Sequence, residues 1–160
     1  WEDFQCPSCK RFEDANGAKV DSLIASGKTK VVFHTLSFLG NESVIAGMGG
    51  GCAADQGRFL DYKNFMYTNQ QEEFSGTWTK PYVISMASQI GLDETKFAAC
   101  LNTDKYRKWL TNVSAAGNDA DINGTPTVVI NGKVMESDRE GVNYYTAEGF
   151  NAQLVANGIN

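Results

Sequence analysis

The chain has 160 residues, a net charge of −5 and 42% hydrophobic residues, of which the aromatic ones make up 11% of the chain. That length fits one domain with a proper core, and the thinly scattered basic residues argue against nucleic acid or an anionic membrane surface as the main partner. No apolar run reaches the twenty or so residues of a membrane-spanning helix. The sequence begins at Trp1 rather than at Met, so an upstream segment, removed or left out, is expected.

In chain order, Trp1 to Phe4 reads as the end of a strand. Cys6-Pro7-Ser8-Cys9 follows, and from Pro7 to about Ser26 the apolar residues Cys9, Phe12, Val20, Leu23 and Ile24 make one helical stripe, with Gly27 as its stop. Lys30 to Thr35 is short and rich in β-formers, so a strand is expected there. The start is then β–α–β, which implies parallel pairing and a right-handed crossover.

From about Ser43 to Ala120 the patterns are helical. One segment runs through Cys52 and Gln56, although Met48-Gly49-Gly50-Gly51 should weaken or kink it. Another runs from Arg58 to about Thr68. A polar loop covers Asn69 to Thr79, and Pro81 then restarts a helix that Gly91 closes. Asp93 suits the N-cap of Glu94 to Leu101. Tyr106, Trp109, Leu110 and Val113 mark a further helix. Strand signals return at Thr127 to Asn131, where Asn131-Gly132 is a type I′ hairpin signature leading into Lys133 to Glu136. Thr146 caps a last helix reaching about Ala156.

The two cysteines of Cys6-Pro7-Ser8-Cys9 lie one helical turn apart, close enough to alternate between dithiol and disulfide. Pro7 suits the first helical position. Cys6 then falls at the helix N-terminus, where unpaired N–H groups and the helix dipole stabilise a thiolate. Two other readings of the motif are half of a zinc ribbon and a purely structural local disulfide. Zinc would need a second ligand pair at short spacing, whereas Cys52, Cys100 and the lone His34 are isolated in sequence. A nucleophilic Cys–His pair through His34 is a further alternative, against the ordinary structural role of a strand histidine. Phe38, Leu39 and Trp78 fall in loop-like segments and either pack or line a peptide groove; packing is the reading favoured here. Neither a metal nor an organic cofactor is expected. The even number of cysteines fits an oxidising compartment, with one catalytic and one structural pair.

Three features together resemble the DsbA-like branch of the thioredoxin superfamily: the β–α–β, helical block, β–β–α order; Phe4-Gln5-Cys6-Pro7-Ser8-Cys9-Lys10; and Gly124-Thr125-Pro126-Thr127 ahead of the hairpin. The runs from Cys52 to Phe59 and from Phe97 to Leu101 are similar to the inserted domain of secreted bacterial, especially actinobacterial, members. The resemblance implies an α/β, thioredoxin-like fold, with residues 1–40 and 120–160 as its core and an inserted helical domain at 41–119. It implies Cys6 as the nucleophile, Cys9 as the resolving cysteine, and Thr125-Pro126 as a cis-proline loop that faces them and pairs with a substrate strand.

Cys52 and Cys100 are expected to form a disulfide within the insert; the alternative is two buried, unpaired thiols. Only five residues precede Cys6, and Glu2 and Asp3 are the acids among them. The expected activity is thiol–disulfide exchange outside the cytoplasm, most readily as a dithiol oxidase acting on reduced or unfolded secreted proteins. A membrane partner of the DsbB or VKOR type would reoxidise it. The protein is expected to be monomeric and extracytoplasmic (periplasmic, cell-envelope or secreted), with any membrane anchor in a segment outside this sequence. The alternatives are a disulfide reductase or isomerase, or a non-catalytic thioredoxin-like binding or chaperone module.

Overall fold

The computed structural model describes residues 1–135 and 144–159. Its elements are α1 (Pro7–Ala25), α2 (Asn41–Ala54), α3 (Phe59–Thr68), α4 (Lys80–Met86), α5 (Glu94–Asn102) and α6 (Arg107–Asp119), then β1 (Val129–Ile130), β2 (Lys133–Val134) and α7 (Ala147–Ala156). A 3-10 turn at Ala87–Ile90 continues α4, and Gly91 ends it in the left-handed conformation. Asp93 and Thr146 cap α5 and α7 by accepting from the backbone N–H of Lys96 and Gly149. Among the described residues no helix is long and apolar enough to cross a membrane.

The sheet is thinner than the sequence pattern suggests. Glu2 forms a single parallel bridge with Thr35, through Glu2 N–H to the His34 carbonyl at 3.0 Å and Leu36 N–H to the Glu2 carbonyl at 2.7 Å. The expected strand at Lys30–Thr35 is therefore a bridge at its C-terminal end. The physical reason is pairing: among the described residues only Glu2 exchanges backbone hydrogen bonds with this segment, through His34 and Leu36 on either side of Thr35. On the other side, Trp1 and Thr127 exchange both backbone hydrogen bonds, at 2.8 and 3.0 Å, which is antiparallel pairing. β1 and β2 close the hairpin in the register Val129↔Val134 and Ile130↔Lys133. Asn131 and Gly132 both have positive φ, as a type I′ turn requires. Met135 N–H reaches back to the Val128 carbonyl, while the expected strand end at Glu136 lies outside the described residues.

The glycine run in α2 does not break it. Each glycine lets a neighbour approach where a Cβ would collide: at Gly49 it would meet the Tyr62 hydroxyl, and at Gly51 the ring of Tyr106. Loss of intrinsic helix propensity, about 1 kcal/mol per glycine, is offset by aromatic packing on three sides of a helix that is buried along most of its length. Tyr62 also donates to the Ala46 carbonyl at 2.8 Å.

The largest apolar cluster joins α2 to α5 with the start of the chain: Phe4, Cys6 and Cys9 share it with Met48, Tyr62, Met66, Trp78, Phe97 and Leu101. A second cluster lies between α1, the hairpin and α7, built on Val20, Leu23, Ile130, Tyr144, Phe150 and Leu154. Trp78 is fully buried, so it packs rather than lining a groove, whereas Phe38 is 53% exposed. Trp109 turns partly outward, and Tyr106 stands at the N-cap of α6 rather than on its buried stripe.

Candidate redox site

Cys6 is the N-cap of α1 and Pro7 its first helical residue. The Cys6 carbonyl accepts from Lys10 N–H, and its own N–H donates to the Asp3 carbonyl at 3.0 Å. Gln70, from the loop after α3, donates to the carbonyls of Phe4 and Cys6 at 2.8 and 3.1 Å. The turn entering α1 is thereby held from both the strand and the helical block. Asp3, fully buried, braces it further: its carboxylate accepts from Gln5 N–H, Phe38 N–H and the Ser43 hydroxyl.

Both thiols are free. Cys6 keeps 9% of its surface and Cys9 3%, with Pro7 exposed at the rim, so an approaching group meets Cys6 first. The hydrogen bond from Cys9 lowers the Cys6 thiol from an ordinary 9.0 to about 6; burial opposes this, and the Thr125 side chain and the N–H groups of Cys9 and Ser8 add to it. Burial drives the Cys9 thiol well above its ordinary value, and its contact with Cys6 adds to that. The pair is thus one activated sulfur and one protonated sulfur held behind it.

The Thr125-Pro126 bond is cis. The Cys6 thiol donates to the Thr125 carbonyl at 3.3 Å, which brings residues 119 positions apart into one site. Cys52 and Cys100 lie elsewhere, joining α2 to α5 through a disulfide with a Cα–Cα distance of 5.8 Å. His34 stacks on Trp1 at 4.0 Å between ring centroids and takes no part in the sulfur pair. Among the described residues no group of three or more histidine, cysteine or acidic side chains is placed to hold a metal ion.

Residues 1–145 match the sequence model of a family described as Thioredoxin. The chain belongs to the thioredoxin family. A search of curated proteins found no match. Among solved structures it is similar to BdbD from Bacillus subtilis, with a TM-score of 0.83 at 19% identity over 98% of this chain and 84% of that one. It is also similar to MdbA from Actinomyces oris, a thiol-disulfide oxidoreductase, with a TM-score of 0.79 at 20% identity over 97% and 76%. DsbA from Mycobacterium tuberculosis matches with a TM-score of 0.69 at 25% identity over 86% and 73%. The fold is the DsbA-like variant of the thioredoxin plan, in which helices are inserted between the two halves of the sheet.

Sequence patterns did not single out a buried polar group next to the cysteines. Lys63, fully buried on α3, pairs with Glu13 of α1 and lies over the rings of Phe33 and Tyr67. Glu2 accepts from the Tyr67 hydroxyl at 3.2 Å, and burial raises its carboxyl to about 7 despite the opposing pull of Lys63. The available signal is positional: Lys63 sits one turn after Phe59 in an apolar stripe, and Glu13 one turn after Cys9.

Titration of the reduced protein, followed by thiolate absorbance, is expected to show one group with a midpoint near pH 6 and no second thiol at ordinary pH. Because the folded value of Cys6 is depressed, its thiolate stabilises the reduced fold fully above about pH 9. That stabilisation fades as pH falls towards 6. A single midpoint near 9 contradicts the assignment of Cys6 as the activated sulfur.

Proposed function

We propose that this protein is a thiol–disulfide oxidoreductase that works as a dithiol oxidase outside the cytoplasm, donating the Cys6–Cys9 disulfide to reduced polypeptides. The observation that supports this most directly is Cys6 at the N-cap of α1, the more exposed of the two sulfurs and 3.3 Å from the Thr125 carbonyl.

In the oxidised protein a client thiolate attacks Cys6 Sγ. A client–Cys6 disulfide forms, the Cys6–Cys9 bond breaks, and Cys9 leaves as a thiolate that takes up a proton. A second client thiolate then attacks the client sulfur of the mixed disulfide and expels Cys6 as a thiolate. The client loses two electrons and two protons, and the protein gains two electrons as a dithiol. Stabilisation of the Cys6 thiolate favours the last step and makes the protein's own disulfide the more oxidising one. The high proton affinity of Cys9 keeps it from re-forming the disulfide before the client is released.

The Thr125-Pro126 loop supports the reading as a place for an extended client segment, because a backbone lying along it would deliver a cysteine to Cys6. Residues 1–40 and 120–160 would supply the redox core, and 41–119 the helices that cover it. A membrane oxidase of the DsbB or VKOR type would restore the disulfide. The DsbA-type proteins it resembles support an extracytoplasmic setting, as does the Cys52–Cys100 bridge, since such bonds persist where the environment is oxidising.

The test is oxidation of reduced, unfolded ribonuclease together with equilibration against glutathione. The expected results are stoichiometric transfer of the disulfide and a reduction potential above about −200 mV. A potential near the thioredoxin value of about −270 mV would instead assign the protein as a reductase. No turnover at all would leave a binding module.

A further inference from the structure

Tyr144 links the redox helix to the loop that faces it. Its hydroxyl donates to the Pro126 carbonyl at 2.9 Å in a buried contact. Its own carbonyl accepts from the Asn16 side-chain amide at 2.9 Å, also buried. Asn16 is seven residues beyond Cys9 on α1, so the two share one helix face. The Tyr144 ring packs edge-on against Phe12, from the turn between them, with 6.0 Å between centroids. Tyr144 and Asn16 are 4% and 1% exposed, so water does not compete for either bond. The Pro126 carbonyl is adjacent in the chain to the Thr125 carbonyl, the one that takes the Cys6 thiol. A closed path results: α1 to Asn16, Tyr144, Pro126 and Thr125, then back to Cys6 at the head of α1.

We propose that Tyr144 is a positioning residue for disulfide exchange, whose hydroxyl holds the Thr125–Pro126 backbone at a set distance from the Cys6 sulfur. A client strand lying along Thr125 pulls on that backbone as its cysteine approaches. Without the hydroxyl, the Pro126 carbonyl is left buried without this donor, and the loop can shift to satisfy it. The client's sulfur then reaches Cys6 less often in line for attack, which slows the reaction without altering either cysteine. The inference rests on the reading that Cys6 exchanges disulfides with polypeptides.

The test compares two reductants of the oxidised protein in single-turnover mixing: an extended cysteine-containing peptide, which can lie along the loop, and dithiothreitol, which cannot. Tyr144→Phe keeps the ring against Phe12 and removes only the donor. The expected result is a peptide rate about tenfold lower, the scale of one buried neutral hydrogen bond. The dithiothreitol rate should stay within about twofold of the parent on that scale, with an unchanged circular dichroism spectrum. An unchanged peptide rate overturns the proposal. Equal slowing with both reductants also overturns it, because that is what a merely structural role produces. A parent protein that reacts with dithiothreitol but not with the peptide removes the client-exchange reading, and the positioning role with it. A parent that exchanges with both, beside a variant that loses neither, removes the positioning role alone.

Discussion

Replacing Cys9 with serine is expected to stall exchange at the mixed disulfide, with clients accumulating as covalent adducts of Cys6. The reasons are geometric and electrostatic. Cys6 is the more exposed sulfur, at the N-cap of α1, while Cys9 lies a turn inward with its thiol pushed up by burial. Only Cys9 is placed to attack the Cys6–client bond from within the protein, so its loss leaves the client's own thiols as the sole route of release and the adduct persists longer. Cys6→Ser should form no adducts and oxidise clients at the background rate. In Cys9→Ala, which removes the donor, the remaining thiol should also titrate higher than in the parent, because the hydrogen bond from Cys9 is the largest cause of the depressed value at Cys6. Non-reducing electrophoresis of each variant after mixing with a partly oxidised client, whose disulfide the Cys6 thiolate attacks to form the adduct and release one client thiolate, reads the first outcome, and thiolate absorbance the second. Adducts on Cys6→Ser, or none on Cys9→Ser, would reverse or cancel the assigned roles.

Removing the second bridge should have the largest effect on stability. Cys52 and Cys100 close a loop with a sequence separation of 48, tying α2 to α5 across the largest apolar cluster. On the chain-entropy account a loop of that size stabilises the fold by about 4 kcal/mol, and the Cys52→Ala, Cys100→Ala double variant should lose about that much. Urea unfolding of parent and variant, both with Cys6 and Cys9 reduced, measures the difference. Because Cys52 is 1% exposed, mild reductant should release two thiols, from Cys6 and Cys9. The other two should appear only with strong reductant and denaturant. Simultaneous release of all four would show that the Cys52–Cys100 bridge is not protected by the fold.

The elements written in local signals are the ones the chain's own chemistry decides. Pro7 after Cys6, and an apolar stripe ending before Gly27, specify α1 because the proline and the cap act within a few residues. Asn131-Gly132 specifies the hairpin turn because both positions need positive φ. Asp93 and Thr146 mark helix starts by the same local logic, a side-chain oxygen taking a free N–H three residues on. The sulfur pair is local as well, one turn apart on one helix face, and its chemistry could be read before any fold was known.

The glycine run at 49–51 shows where local reasoning stops. By propensity it should kink α2, yet the helix is continuous, because Tyr62 and Tyr106 occupy the space that side chains would have filled. The segment at 30–33 shows the opposite outcome: its β-rich residues lack a ladder because, among the described residues, backbone pairing is confined to Glu2 at Thr35, which no residue in the segment encodes. Lys63 and Glu13, fifty residues apart, were single polar interruptions of two apolar stripes until the packing of α1 on α3 joined them. Tyr144 belongs to the same class.

The sequence by itself therefore determined the spacing of the cysteine pair, the helix it heads and the order of elements around it, since each depends on interactions spanning a few residues. Only the tertiary structure decided what surrounds the sulfurs: the Thr125 carbonyl at Cys6, the buried Glu2, Glu13 and Lys63, and the path from Asn16 through Tyr144 to Pro126. Those contacts join positions up to 128 residues apart. Their partners are selected by burial and by the need to satisfy polar groups away from water, conditions that exist only once the chain has closed on itself.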